Sequence, residues 1–181
     1  MKGVSSTEVI VMKKILAAVL LCLTACTAEA AAPAETPGIP AETPAIPLTQ
    51  DVTAELDGMT VTLQIPEDWQ AVTVLSCGPQ GSTATLQISP DGKEWLDISC
   101  TEDFGVCGTG LESKKEVLNT YSCTAGYYDG WKRFSWIRFD EPYQNLMIAR
   151  HAEEGTNIDM DRAEAAETEM YILQTLEIQN R

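Results

Sequence analysis

Six cysteines and a single histidine are the residues of this 181-residue chain best suited to nucleophilic or metal chemistry. Cys107 lies in the glycine-rich stretch Phe104 to Leu111, and His151 could act as its general base. A reactive cysteine needs a nearby cation or a helix start to stabilise its thiolate, and the surroundings of Cys107 are acidic. We therefore expect a tight disulfide-closed loop rather than a nucleophile, and a surface position for His151.

Other catalytic and metal-binding patterns do not occur in the sequence. A single histidine excludes metal centres that use several histidine ligands. The sequence also lacks the Cys-x-x-Cys pairs that are typical of zinc sites. The segment Asp159-Met160-Asp161 lacks the rest of a calcium loop. Neither a Gly-x-Ser-x-Gly elbow nor a phosphate-binding P-loop is present. Carboxylates are abundant, but no two of them stand out as the acid pair of a glycoside hydrolase. We therefore expect no bound metal, no cofactor and no catalytic residues.

Aromatic residues offer another kind of site, a surface on which a sugar or a peptide could stack. The segment Tyr127-Tyr128-Asp129-Gly130-Trp131 is typical of an exposed turn between strands. We expect most aromatic side chains to pack in the core. The candidate ligand contacts are Phe104, Tyr127, Tyr128 and Trp131.

The amino end has the layout of a secretory signal. Met12-Lys13-Lys14 forms a basic start and Ile15 to Leu23 forms an apolar run, followed by small residues. The run is too short to span a bilayer as a permanent helix. We interpret residues 1–11 as an upstream extension and Met12 as the true start.

Leu23-Thr24-Ala25-Cys26 resembles the lipobox of bacterial lipoproteins. The resemblance implies that residues 12–26 form a lipoprotein signal and that the Cys26 thiol receives a diacylglyceryl group. It also implies palmitate-type acylation and an anchor on the outer face of the cytoplasmic membrane, which two or more acyl chains would hold stably. The alternative is cleavage after Ala30, which would give a secreted protein.

Residues 27–50 are predicted to be a proline-rich linker. Pro33-Ala34-Glu35-Thr36-Pro37 is repeated as Pro40-Ala41-Glu42-Thr43-Pro44. Proline removes backbone donors and favours an extended polyproline conformation, which suits a spacer that holds a domain away from a membrane.

Residues 51–179 are predicted to form a single domain. The formal net charge of −15 argues against a nucleic-acid partner, because phosphates require a basic surface.

The predicted secondary structure follows from the spacing of apolar residues. Alternating or β-branched runs predict strands. Apolar residues at steps of three and four from Ala163 to Leu176 predict a helix over 161–176, capped by Asp159 or Asp161. The expected strands cover 59–65, 71–76, 84–88, 94–100, 117–128, 131–139 and 144–150, with a loop over 101–116.

These elements predict an α+β fold, an antiparallel β-meander sheet with a C-terminal helix packed on one face. The opening Gly58-Met59-Thr60-Val61, with Pro66 and Trp69, and the closing Ile172 to Leu176 are similar to small lipoproteins of Gram-positive bacteria. Their domains resemble the PsbP/Mog1-like fold. The resemblance implies a family consisting mainly of binding and assembly factors.

Four cysteines fall within the domain. An even number in an exported domain predicts two disulfides, with three connectivities available to Cys77, Cys100, Cys107 and Cys123. A Cys100–Cys107 bond would close a local loop, and a Cys77–Cys123 bond would then join distant strands. Reduced buried thiols and a thiolate metal site are the alternatives.

The sequence thus predicts an exported lipoprotein that serves as a non-enzymatic binding or assembly module. Its expected partners are the membrane, through the lipid, and a cell-wall glycan or an envelope protein. An envelope-acting hydrolase that uses acidic residues and a purely structural envelope lipoprotein are the alternative functions.

Overall fold

A computed structural model describes residues 46–78, 81–102, 105 and 109–181. These residues form ten strands and one helix. The predictions for Cys26, Phe104 and Cys107 fall outside the described residues. The elements, in chain order, are β1 (Leu48–Leu56), β2 (Met59–Pro66), β3 (Gln70–Gly78), β4 (Gly81–Ser89), β5 (Glu94–Cys100), β6 (Leu111–Leu118), β7 (Tyr121–Tyr128), β8 (Trp136–Phe139), β9 (Leu146–Ala152), α1 (Ala163–Leu173) and β10 (Glu177–Asn180).

A small sheet has the strand order β1-β2-β10. Asp57 and Gly58 connect its first two strands with φ angles of 45° and 85°. Two consecutive positive φ angles are what a tight hairpin turn requires, and the pair Asp-Gly meets this requirement. The strands β1 and β10 were not expected from the sequence, since β1 begins within the predicted linker and β10 follows the helix.

The larger sheet has seven strands in the order β3-β4-β5-β9-β8-β7-β6, and every pair is antiparallel. This confirms the prediction of antiparallel sheet with one C-terminal helix. The topology consists of two meanders, because β9 returns to pair with β5 rather than with an outer strand.

Two strand boundaries differ from the predicted ones. β6 begins at Leu111, within the segment expected to be a loop. β8 begins only at Trp136, whereas a strand was expected from Trp131. The reason is a tertiary contact: the backbone amides of Lys132 and Arg133 both donate to the Met160 carbonyl, at 3.0 Å each.

One hydrophobic core joins both sheets and the helix. Strand alternation turns every second side chain inward, as the pattern of β2 illustrates. The largest fully buried apolar side chains are Phe134, Phe139, Leu56, Leu63, Ile65, Leu86, Ile88, Ile98, Leu118, Ile137, Leu146 and Ile148.

The helix is shorter than predicted and lacks the predicted side-chain cap. It runs from Ala163 to Leu173, and Arg162 at its N-cap makes no side-chain capping bond. The Asp159 carboxylate accepts a hydrogen bond from the Asp161 amide instead, so the predicted cap was wrong. Glu164 does lie in the first turn, where its charge suits the helix dipole.

The predicted Cys77–Cys123 disulfide is wrong. Cys77 and Cys123 are free thiols on β3 and β7, between which lie four other strands. Strand spacing then separates them by about 24 Å, whereas a disulfide requires Cα atoms within about 7 Å. Cys100 is also a free thiol, and it donates to the Leu56 carbonyl at 3.6 Å. The predicted bond from Cys100 to Cys107 is therefore not formed either, because the Cys100 thiol is free.

The thiols should differ in reactivity with iodoacetamide near neutral pH. Cys77 is exposed, whereas burial raises the pKa of both Cys100 and Cys123 to about 11. We expect Cys77 to be alkylated in the native protein, with Cys100 and Cys123 modified only after unfolding. Peptide mapping by mass spectrometry checks this. Rapid native alkylation of Cys123 would contradict its burial, and a Cys100 peptide linked to Cys107 would contradict the free thiol of Cys100.

Four charged side chains lie together on the core side of the large sheet. We call Glu94, Arg133, Arg150 and Glu169 the buried quartet. Both arginines and Glu169 expose only 3% of their side chains, and Glu94 exposes 16%. Two positive and two negative charges balance, which makes burial tolerable.

The buried quartet is held by charge-assisted hydrogen bonds. Arg133 contacts both Glu94 and Glu169 through its Nη2 atom. Arg150 donates from Nη1 to Glu94 at 2.7 Å and from Nη2 to Glu169 at 2.6 Å. Arg133 also donates to the Asp159 carbonyl at 3.0 Å. These bonds join β5, β9, the segment before β8, and α1.

Replacing Glu169 by Gln should destabilise the protein strongly. The change leaves one arginine charge buried without its partner, which costs about 3–5 kcal/mol of unfolding free energy. The matched control is Glu167→Gln on the same helix, where the side chain is exposed and the expected change is within about 0.5 kcal/mol. Urea denaturation of both variants measures the difference. Equal stabilities would show that the quartet does not stabilise the fold.

Candidate functional site on the outer sheet face

The large sheet has one face that no described element covers. The helix and the small sheet share their core with the other face, to which Leu86, Ile98 and Ile148 contribute. We call the uncovered side the outer face. Strand register places one side chain from each strand in a single transverse row: Val72, Gln87, Asp97, Ala149, Trp136, Gly126 and Ser113.

The indole of Trp136 occupies the middle of this row because its neighbours are small. It lies against Gly126, where an added Cβ atom would be only 2.2 Å from the Trp136 Cε2 atom. Ala149 flanks it on the other side in the register of β8 and β9. Glycine within a strand often marks such a close approach. The ring is therefore held in a fixed position on the outer face.

A groove of about 520 Å³ opens beside Trp136. Its polar side chains come from two strands and from the loop between β8 and β9. Arg138 donates from Nε to the Gln144 carbonyl at 3.0 Å. Asp140 is paired with Lys115, whose Nζ lies 2.9 Å from the Asp140 Oδ1 atom. The groove is lined by Thr124, Trp136, Arg138, Phe139, Asp140, Glu141 and Gln144.

A second polar cluster lies on the outer face around His151. Its Nδ1 atom is 2.8 Å from the Asp97 Oδ2 atom, and its ring stacks on Trp95 with centroids 6.5 Å apart and an interplanar angle of 10°. Gln87 donates to the other Asp97 oxygen at 3.1 Å. The expected surface position holds in part, since the His151 side chain is 41% exposed. A histidine oriented by a carboxylate supplies two of the three members of a catalytic triad. The third member would be a nucleophile, and no hydroxyl or thiol in the described parts of the chain is hydrogen-bonded to His151.

The aromatic residues predicted as ligand contacts differ in their exposure. Tyr128 and Trp131 form an edge-on pair with centroids 4.7 Å apart, and both are half-buried. Tyr127 is only 9% exposed and faces the core, so it is not a surface contact. Burial raises its pKa to about 12, and the Lys114 ammonium lies over its ring. Strand alternation is the reason, since Tyr127 and Tyr128 must point to opposite faces.

Neither metal ligands nor membrane-spanning helices are found in the parts of the chain that the structure describes. No three His, Cys, Asp or Glu residues among them are grouped closely enough to hold an ion. No helix in the same residues is long and apolar enough to cross a membrane.

Comparison with known proteins finds no relative. No protein-family model, no curated protein and no solved structure matches this chain.

The groove beside Trp136 was not predicted, although one sequence signal pointed toward it. Gly126 interrupts a strand of larger residues, which is a sign of close packing by a neighbouring side chain. Arg138 and Gln144 come from separate elements and carry no pattern that would join them.

Substituting Gly126 by Ala should displace the indole of Trp136. The new methyl would overlap the ring, and overpacking costs about 1–3 kcal/mol. We expect a lower melting temperature and a changed near-ultraviolet circular dichroism spectrum. The control is Gly105→Ala, where nothing lies within 4 Å of the added atom. An unchanged tryptophan signal in Gly126→Ala would mean that the ring is not held against the strand.

Proposed function

We propose that this protein is an exported, lipid-anchored, non-enzymatic binding module whose ligand is a neutral glycan of the cell envelope. The observation that carries the proposal is the Trp136 indole, held against Gly126 at the edge of a groove with polar walls. Sugars bind proteins by stacking their apolar faces on aromatic rings while their hydroxyl groups bond to polar side chains.

The polar groups around the ring suit hydroxyl groups. The Arg138 guanidinium uses only its Nε atom in hydrogen bonds to the described residues, which leaves its two Nη groups to donate to a ligand. Thr124 and Gln144 can donate or accept, and Glu141 can accept. Each hydroxyl group of a glycan can both donate and accept a hydrogen bond, and this groove offers both acceptors and donors.

The overall charge favours a neutral ligand over an anionic polymer. The chain has 27 acidic and 12 basic residues, so the field around it repels polyanions such as teichoic acids. Asp140 and Glu141 place two of the acidic residues at the groove itself.

The proposed location depends on the amino end. Leu23-Thr24-Ala25-Cys26 supports lipidation at Cys26, and the proline-rich segment that follows supports a spacer between the membrane and the domain. We also propose a PsbP/Mog1-like fold for the domain, which is supported by the motif Gly58-Met59-Thr60-Val61 with Pro66 and Trp69.

The ligand is tested by isothermal titration calorimetry with a neutral oligosaccharide, chitotetraose, and with cellotetraose as a second probe. We expect binding that Trp136→Ala weakens by about tenfold or more, because the stacking surface is removed. The matched control is Tyr171→Ala, which removes an aromatic ring from α1 on the other side of the sheet.

Two outcomes of this titration would change the proposal. Absence of binding to every neutral oligosaccharide, together with capture of an envelope protein through the same groove, would replace the glycan by a protein ligand. Release of shorter sugars during the titration would favour the hydrolase alternative, for which Asp140 and Glu141 line the groove together. In that case Glu141→Gln should stop the release.

The anchor is tested by metabolic labelling with an alkyne-bearing palmitate analogue in bacterial cells. Cys26→Ser should abolish the label and move the protein out of the membrane fraction, because the acylated thiol is lost. Cys22→Ser is the matched control, since that cysteine lies in the apolar part of the signal and should leave labelling unchanged. Labelling that persists in Cys26→Ser would exclude this cysteine as the anchor.

A further inference from the structure

The hairpin of β3 and β4, which we call the β-arm, is free of charge in a strongly charged chain. Residues 69–90 contain no Asp, Glu, Lys or Arg, although the whole chain is 22% charged and has a net charge of −15. The β-arm therefore differs in electrostatic character from the rest of the molecule.

The outer half of the β-arm extends beyond its neighbours in the sheet. β3 and β4 are paired along their whole length, from Gln70↔Ser89 to Gly78↔Gly81. β4 pairs with β5 only between Thr85 and Ile88, so the residues nearer the turn pair with no other described strand on that side. β3 itself is the last strand of the sheet.

Large apolar side chains are exposed along this edge. Val72 is 43% exposed, Val74 is 40% exposed and Leu75 is 71% exposed. Val72 and Val74 belong to the outer face, whereas Leu75 projects from the opposite side of the strand. An uncharged edge strand with apolar residues on both faces is a template for the addition of another strand.

The opposite edge of the same sheet is protected. β6 carries Glu112, Lys114, Lys115 and Glu116, all in the eight residues of one strand. Charged residues, lysine above all, are how proteins prevent strands from adding to an edge. Val117 is an exposed valine on this edge, at 55%, but it lies among these charges. The β6 edge is thus protected against pairing with another strand, whereas the β3 edge is suited to such pairing.

We propose that the β-arm is a dimerisation surface, on which β3 pairs antiparallel with β3 of a second copy of this chain about a twofold axis. A twofold interface brings the same patch from each copy into contact, so that patch must be complementary to itself. A neutral apolar strand satisfies this requirement, because it brings no like charges of this acidic chain into contact. A basic partner protein would gain more from the acidic surfaces than from the β-arm, which carries no charge. This inference does not depend on the proposed glycan binding.

The test is sedimentation equilibrium of the full chain in a detergent of matched density, so that only the protein contributes to the buoyant mass. We expect a reversible dimer at micromolar concentration. Val74→Lys should weaken it by more than about tenfold, because twofold symmetry places two lysines in the interface. The matched control is Val117→Lys, the same change at an exposed valine on the other edge, and it should leave the dimer intact. Circular dichroism confirms that both variants are folded.

Salt gives an independent check. Association of two acidic copies through a neutral strand should strengthen as sodium chloride is raised from low to high concentration, because screening reduces their repulsion. A monomer at every concentration would overturn the proposal, as would a Val74→Lys dimer as tight as that of the original chain. Loss of the dimer in Val117→Lys alone would assign the interface to β6. A dimer that weakens with salt would show that charged contacts hold it.

Discussion

The fold depends on the buried quartet of Glu94, Arg133, Arg150 and Glu169. Four ionised groups can remain in the interior only if they stay together in a fixed geometry, because each would be costly alone. Their positions on β5, β9, the segment before β8, and α1 require those four elements to meet at one point. Displacing one of these elements would break bonds between buried charges, so the quartet ties the four elements to one arrangement.

The quartet and the outer face are two sides of the same strands. Glu94 and Arg150 point toward the core, while Trp95 and His151, their immediate neighbours in the chain, point outward and stack on one another. Fixing β5 against β9 on the inside therefore also fixes the polar cluster and the row that contains Trp136 on the outside. The rigidity that a binding surface needs comes from bonds on the other side of the sheet.

The distribution of charge gives each surface of the sheet a different role. Acidic and basic residues concentrate on β6 and on the loops, where they keep one edge from pairing. The groove beside Trp136 mixes aromatic and polar groups, which suits a ligand held by stacking and hydrogen bonds. The β-arm has no charge, and its surface suits a copy of itself. The two sites that we propose, for a ligand and for a second chain, thus lie at separate places on a single sheet.

The sequence by itself determined the local elements: the helix, most strands and the antiparallel α+β class follow from periodicity and turn residues, which act over a few positions. It is also the basis on which we propose a signal and a linker, and it contains the uncharged stretch of residues 69–90. Only the tertiary structure decided which residues meet. Arg133 and Glu169 are 36 positions apart in the chain and meet because the helix packs against the sheet. Gly126 and Trp136 lie on neighbouring strands and meet through the register of those strands. The strand order of this sheet separates Cys77 from Cys123, because the distance between two residues of a sheet is set by the number of strands between them. The even number of cysteines predicted disulfides but carried no information on this distance.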